Sequence, residues 1–182
     1  IPQIHKIIGN IPYNISTPII QRLIACQKFF PYAFLTVQRE FAQRLTARPG
    51  TKDYGSLTCL VQYYADVQIH FHISPQSFRP VPKITSSFIQ LSFREPADHA
   101  DDETTLFQIT QSAFAQRRKT LLNALSSYVS KNILQTILKD LKIDVHQRPD
   151  TLALNDYIRL ANALTRAKPA QTSCSTQKTN AS

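Results

Sequence analysis

The 182-residue chain contains no methionine, not even at its first position, and has only three glycines and three cysteines. Cys26, Cys59 and Cys174 are odd in number, far apart, and form no C-x-x-C pair. That spacing excludes a disulfide scaffold and a zinc ribbon, and it suits a reducing, cytoplasmic setting. No run approaches the ~20 apolar residues needed to span a bilayer, and no signal-peptide pattern opens the chain. Gly9, Gly50 and Gly55 are too scattered to make a G-x-G turn. The chain starts abruptly at Ile1-Pro2-Gln3 and runs straight into an apolar strand, so it reads as a fragment whose front has been cut away.

What is present is ordinary globular material, 42% hydrophobic and 18% charged, enough for one medium domain and a small appendage. The net charge of +9 is unevenly placed. Residues 1–103 hold ten Lys/Arg against eight Asp/Glu, whereas residues 104–182 hold eleven against four. A basic excess gathered in one part of a chain suits a polyanion partner, through phosphate neutralisation and counterion release. Solubility or an anionic membrane surface are the plainer readings of the same charge.

The periodicity predicts a mixed α/β region followed by helices. Ile4–Ile8 reads as a buried strand ending at Gly9-Asn10. Thr17 can cap a helix that has Pro18 at its first position and Ile19, Ile20, Leu23 and Ile24 on one face. Ala33–Val37 forms a second strand, Arg48–Tyr54 a loop, and Leu57, Leu60, Val61 and Tyr64 recur at helical spacing. The period then switches to two: Val67, Ile69, Phe71 and Ile73 alternate with Gln68, His70 and His72. After a proline-rich loop, Ile89, Leu91 and Phe93 line a last strand. Residues 1–95 thus form an α/β sheet with an antiparallel edge, and residues 96–103 an acidic linker. Residues 104–167 form a helical domain, with Phe107, Phe114 and Leu121 as a seven-residue stripe and Asn155 as a cap for the last helix. Residues 168–182 are predicted to be a disordered tail.

The most informative segment is Gly9-Asn10-Ile11-Pro12-Tyr13-Asn14-Ile15-Ser16, at a strand's C-terminal end and before a helix, where open α/β sheets bind ligands. An adenine amine is a poor nucleophile because its lone pair is delocalised into the ring. The Asn10 side-chain oxygen and a backbone carbonyl beside Pro12 can hold its two hydrogens and favour the more tetrahedral nitrogen that develops as it attacks a methyl sulfonium. Proline fixes the local backbone. Tyr13 offers a flat face to an extruded base, worth ~1–3 kcal/mol. No metal is required. A plain strand-to-helix turn built from Asn, Pro and Tyr is the competing account.

This segment resembles the catalytic motif of the rRNA adenine N6,N6-dimethyltransferases, of the bacterial small-subunit type. Val37–Leu45 and Pro49–Leu57 look like that family's next strand, loop and helix. Phe78-Arg79-Pro80-Val81-Pro82-Lys83-Ile84-Thr85-Ser86 is similar to its F-x-P-x-P-K-V-x-S loop. Phe114–Leu121 and Arg148–Leu152 resemble signatures of its helical domain. The resemblance implies the C-terminal half of a Rossmann-like methyltransferase sheet followed by a small all-helical domain that binds RNA. It implies S-adenosylmethionine as cofactor, met by Asn10, with Asn10, Pro12, Tyr13 and Phe78 at the catalytic centre. Phe78 would cover the base's other face or edge; a loop aromatic plugging the sheet edge is the alternative. The implied reaction is N6,N6-dimethylation of adjacent adenines near the 3′ end of 16S rRNA, during maturation of the small subunit, by a monomer. The family's glycine-rich cofactor loop lies upstream of this motif, so the chain alone is expected to be inactive.

Arg79, Lys83, Arg117, Arg118 and Lys119 are candidate RNA contacts. On a continuous helix Arg117 and Arg118 would flank the Phe107/Phe114/Leu121 stripe, while Lys119 points away. A salt bridge to the other domain is the competing role. His70 and His72 are expected on one face of a strand, with no source for further metal ligands. Cys59 is expected to pack, and Ser16 has no partners that would make it a nucleophile. Two other functions fit the same fold: a macrolide-resistance methylase of large-subunit rRNA, and a non-catalytic assembly or transcription factor.

Overall fold

The apolar runs of the first half become one four-stranded sheet in the order β1-β2-β4-β3. The structure is a computed structural model and describes residues 6–167. The expected strand start at Ile4 and the tail from residue 168 lie outside the described residues. Strand β1 (Ile7–Asn10) pairs in parallel with β2 (Tyr32–Gln38) across helix α1 (Ser16–Ala25). Strands β3 (Ala65–Ile73) and β4 (Ser86–Phe93) then add an antiparallel edge, as the alternating pattern predicts. Helices α2 (Arg39–Leu45) and α3 (Ser56–Tyr64) connect β2 to β3.

The side chains of Leu35, Val37, Ile89 and Leu91 are fully buried with Ile20 of α1, Leu45 of α2 and Val61 of α3. Each removes apolar surface worth roughly 1.5–3 kcal/mol from water. The opposite sheet face is open. Ile8, Tyr32 and Phe71 on it are exposed, and Phe34 stacks on Phe88 at 6.1 Å between ring centroids. No helix of the described residues covers this face.

Strand β3 departs from simple alternation. A bulge between Ile69 and Phe71 turns Phe71 onto the open face, where it stacks on Phe88 at 5.2 Å. The bulge also separates the two histidines expected together. His70 bonds Gln90, on the open face, whereas His72 bonds the buried Ser87, whose neighbours Ile89 and Leu91 face the core. Among the described residues no cluster of His, Cys, Asp and Glu could hold a metal.

The remaining helices are α4 (Glu103–Ala115), α5 (Leu121–Ala124), α6 (Lys131–Asp140) and α7 (Leu154–Ala167). Asp102 caps α4 by accepting the N–H groups of Thr104 and Thr105. All three residues of the predicted stripe reach the helical core, Leu121 fully buried and Phe107 and Phe114 packed against it, but they do not share one helix. Helix α4 stops at Ala115, residues 116–120 form a turn, and the buried face of α4 is Leu106, Ile109 and Ala113. Asn155 lies inside α7 rather than at its cap, and the Asp156 carboxylate accepts the Ala153 N–H instead. Helix α3 is a shared wall. Val61 faces the sheet, whereas Cys59 and Tyr63 join the helical core with Leu106, Leu121 and Tyr157. The Cys59 thiol donates to the Tyr54 hydroxyl at 3.3 Å, and burial pushes its pKa up to about 11. It is a packing residue, as expected.

Candidate active site

Strand β1 stops at Asn10 because Pro12 has no N–H with which to continue the ladder. Ile11 makes the last sheet contact, donating to the Thr36 carbonyl at 3.3 Å. Pro12 adopts φ −58°, ψ 135°, and residues Tyr13–Ile15 wind one tight turn into α1. The predicted Thr17 cap is replaced. Helix α1 already begins at Ser16, whose buried hydroxyl donates to the Pro12 and Tyr13 carbonyls at 3.4 and 3.2 Å. Ser16 is therefore a turn-stabilising residue.

These bonds decide which groups can meet a ligand. The Pro12 carbonyl is occupied by the Ile15 N–H at 3.2 Å and by Ser16. The carbonyl of Ile11, immediately before Pro12, receives no hydrogen bond among the described residues. Neither does the exposed side chain of Asn10. The backbone acceptor expected beside Pro12 is thus offered by Ile11 rather than by Pro12 itself. The Tyr13 ring is held from its far end, where its hydroxyl shares a 2.6 Å hydrogen bond with Ser86 at the start of β4. Ser86 is fully buried. Sequence reasoning missed this tether, since nothing local marks a serine 73 residues away as a partner.

The loop between β3 and β4 carries the other wall. A short turn at Pro75–Ser77 presents the half-buried Phe78, and the following Arg79–Pro80 peptide is cis. Asn10, Ile11, Pro12 and Tyr13 line one cleft of about 280 Å³ with Phe78, Arg79, Pro80 and Pro82. All four expected catalytic residues therefore meet in one cavity, although Tyr13 and Phe78 lie 65 positions apart in the chain. The lining has aromatic faces, polar acceptors and one cation, and no carboxylate.

The basic candidates divide. Arg79 lines this cleft, and Lys83 lines a neighbouring one. Arg118 and Lys119 are exposed in the turn after α4. Arg117 instead points inward, to Asp150 at 3.3 Å and to the carbonyls of Thr51 and Lys52. The Asp150 carbonyl in turn accepts the Gly50 N–H at 2.6 Å, and Gly50 takes φ 83°, a value glycine adopts without strain. The helical-wheel expectation for Arg117 fails because the helix ends before it. The residue serves as a latch between the 48–54 loop and the helical core.

The profile of the family described as ribosomal RNA adenine dimethylase matches residues 1–166. Ribosomal RNA small subunit methyltransferase A of Alcanivorax borkumensis is 40% identical over 158 residues, 86% of this chain and 55% of that protein. The protein of the same description from Geobacillus kaustophilus is 38% identical over 164 residues, covering 87% and 56% respectively. The chain thus spans little more than half the length of these relatives. Among solved structures, a dimethyladenosine transferase from Plasmodium falciparum superposes with TM-score 0.80 at 25% identity, over 91% of this chain and 68% of that one. The 23S rRNA methyltransferase ErmE shares the fold, with TM-score 0.65 at 20% identity, over 91% and 67%. The α/β class expected from the sequence holds, and the sheet is Rossmann-like. With the match running from the strand that carries Asn10 to the last helix, the chain belongs to the ribosomal RNA adenine dimethylase family.

Proposed function

We propose that the protein containing this chain transfers methyl groups from S-adenosylmethionine to the N6 amines of adjacent adenines near the 3′ end of small-subunit rRNA. It acts as a cytoplasmic monomer during maturation of the small ribosomal subunit. The observation that carries this reading is the convergence of Asn10, Pro12, Tyr13 and Phe78 on one cleft. A target adenine taken out of its stack would lie on the Tyr13 ring, with Phe78 against its other face or edge. Its amine would donate one hydrogen to Asn10 Oδ1 and the other to the Ile11 carbonyl. The Ile11 carbonyl is set by the turn before the base arrives, whereas the exposed Asn10 side chain is free to turn its Oδ1 to the amine. The Tyr13–Ser86 bond keeps the ring from following the base out of the cleft.

The fit of the cofactor to these residues is one-sided. The cleft offers Asn10, but no carboxylate for a ribose and no glycine-rich turn. Asn10 would touch the methyl-bearing end, and the described residues supply no holder for the rest. When bound, the cofactor supplies an electrophilic methyl group on a sulfonium. This chain's own residues bind the base, orient its amine and exclude water from one side.

We assign the RNA body to the helical region 104–167 and to Arg79 and Lys83, with residues 96–103 as the acidic link from the α/β region 1–95. The exposed Arg118 and Lys119 are its phosphate contacts there, and Arg117 contributes by holding their turn in place. The curated relatives' description as small-subunit methyltransferases supports this choice of RNA. The test is methyl transfer from labelled cofactor to immature small subunits by the full-length protein. Asn10→Ala is expected to lose on the order of 10²-fold in rate, the cost of removing one preorganised polar contact at a reacting centre. Undiminished transfer by that variant would remove Asn10 from the mechanism.

A further inference from the structure

The C-terminal edge of the sheet carries a second cleft beside the first. It also has a volume of about 280 Å³ and is lined by Gln38, Arg39, Glu40, Lys83, Ile84 and Thr85. The two clefts share the proline loop as a common wall: Phe78, Arg79, Pro80 and Pro82 face one, and Lys83, Ile84 and Thr85 face the other. They also lie at the ends of neighbouring strands. Asn10 ends β1 opposite Thr36, and Gln38 lies two residues further along β2, with paired strands about 4.8 Å apart. The floor of the second cleft is firm. The Arg39 N–H donates to the Thr85 carbonyl at 3.0 Å, and Gln38 pairs with Ser86, the residue that also tethers Tyr13.

We propose that this second cleft holds the nucleotide adjacent to the target adenine, an inference that rests on the reading of the first cleft as the site of the target base. The lining matches a nucleotide rather than a lone phosphate. Arg39 and Lys83 are exposed and form no ion pair among the described residues, so both are available to a phosphodiester. Ile84, 41% exposed, presents an apolar surface of the kind a nucleobase covers. Gln38 supplies both a donor and an acceptor, and the Glu40 carboxylate accepts only. An isolated phosphate would be repelled by Glu40. A base bearing an exocyclic amine would donate to it while its phosphate meets the two cations. Two nucleotides unstacked on either side of one loop would place the first under Phe78 and the second on Ile84. The neighbour then contributes to choosing which adenine is methylated.

The experiment uses the full-length protein and short single-stranded RNAs carrying one target adenine, with binding read by fluorescence anisotropy. In one RNA all bases are intact; in two others the nucleotide on the 5′ or the 3′ side of the target is abasic; in a fourth the target itself is abasic. Loss of one flanking base is expected to weaken binding roughly tenfold, the scale of one base contact. In Ile84→Ser, and in the milder Ile84→Thr, that penalty shrinks while thermal melting is unchanged. Arg39→Ala weakens intact and abasic RNAs alike and reduces the salt slope by about 1. An equal penalty in wild type and Ile84→Ser, or no penalty from either flanking lesion, overturns the proposal. The fourth RNA separates it from its premise. If loss of the target base costs nothing while loss of the neighbour does, the first cleft has been misread and the second still binds RNA.

Discussion

Replacing Arg117 by alanine separates two roles that the amino-acid sequence alone leaves open. In the structure its guanidinium meets the Asp150 carboxylate at 3.3 Å, with the two side chains 35% and 22% exposed. It also donates to the backbone carbonyls of Thr51, at 2.7 Å, and Lys52. A fully exposed ion pair contributes about 0–1 kcal/mol, whereas breaking a buried pair costs about 3–5. Two further carbonyls lose a charged donor, and Asp150 already has one buried oxygen without a partner among the described residues. Partial exposure puts the loss between those limits, at about 2–3 kcal/mol. For a domain of this size that lowers the melting temperature by roughly 4–12 °C. Lysine should not restore it, because one ammonium cannot reach a carboxylate and two carbonyls in the planar fork that arginine offers. The assay is thermal and urea denaturation of Arg117→Ala, Asp150→Ala and the double variant, beside the salt dependence of RNA binding. The two single losses should be strongly non-additive, with the salt slope nearly unchanged. A loss below about 0.5 kcal/mol together with a flattened salt slope would refute the latch and return Arg117 to the RNA phosphate contacts.

Hydrogen bonds from the Thr105 hydroxyl and from backbone N–H groups hold the Asp102 carboxyl below its ordinary value of 3.8. Its contribution to stability is therefore present above about pH 4 and lost as pH falls through the lower folded value; Asp102→Asn should flatten that acid limb in denaturation experiments. At the alkaline end, burial raises the Cys59 thiol from 9.0 to about 11. The unfolded chain thus releases this proton first, and stability should fall between about pH 9 and 11, less so in Cys59→Ala. Mass spectrometry after thiol alkylation at pH 8 should find Cys59 modified only in denaturant, while the half-buried Cys26 reacts in the folded chain. Calorimetry on the 182-residue chain should show no micromolar affinity for S-adenosylmethionine, since the cleft has no carboxylate for its ribose; tight binding would contradict that assignment.

The sheet was legible because its signals are local. Alternation marked β3, short apolar-rich segments marked β1 and β2, and Gly9-Asn10 marked the end of the first strand. The cleft was legible through ordered motifs rather than through periodicity, and the chain folds so that those motifs meet. What escaped was set by distant partners. The bulge in β3, which sends His70 and His72 to opposite faces, depends on pairing with β4. Helix α4 ends at Ala115 although Arg117, Arg118 and Lys119 are good helix formers, and beyond that end Arg117 meets Thr51, Lys52 and Asp150, partners that no local pattern announces. Arg39 carried no catalytic signature, and only the packing of the proline loop against the start of α2 reveals the cleft beneath it.

The most direct test of the central claim is a structure of the full-length protein with an RNA whose target adenine is extruded. The purine ring should lie between Tyr13 and Phe78, with its amine within hydrogen-bonding distance of Asn10 Oδ1 and the Ile11 carbonyl. An adenine lodged elsewhere, with the Asn10–Tyr13 turn closed over an empty cleft, would contradict the account.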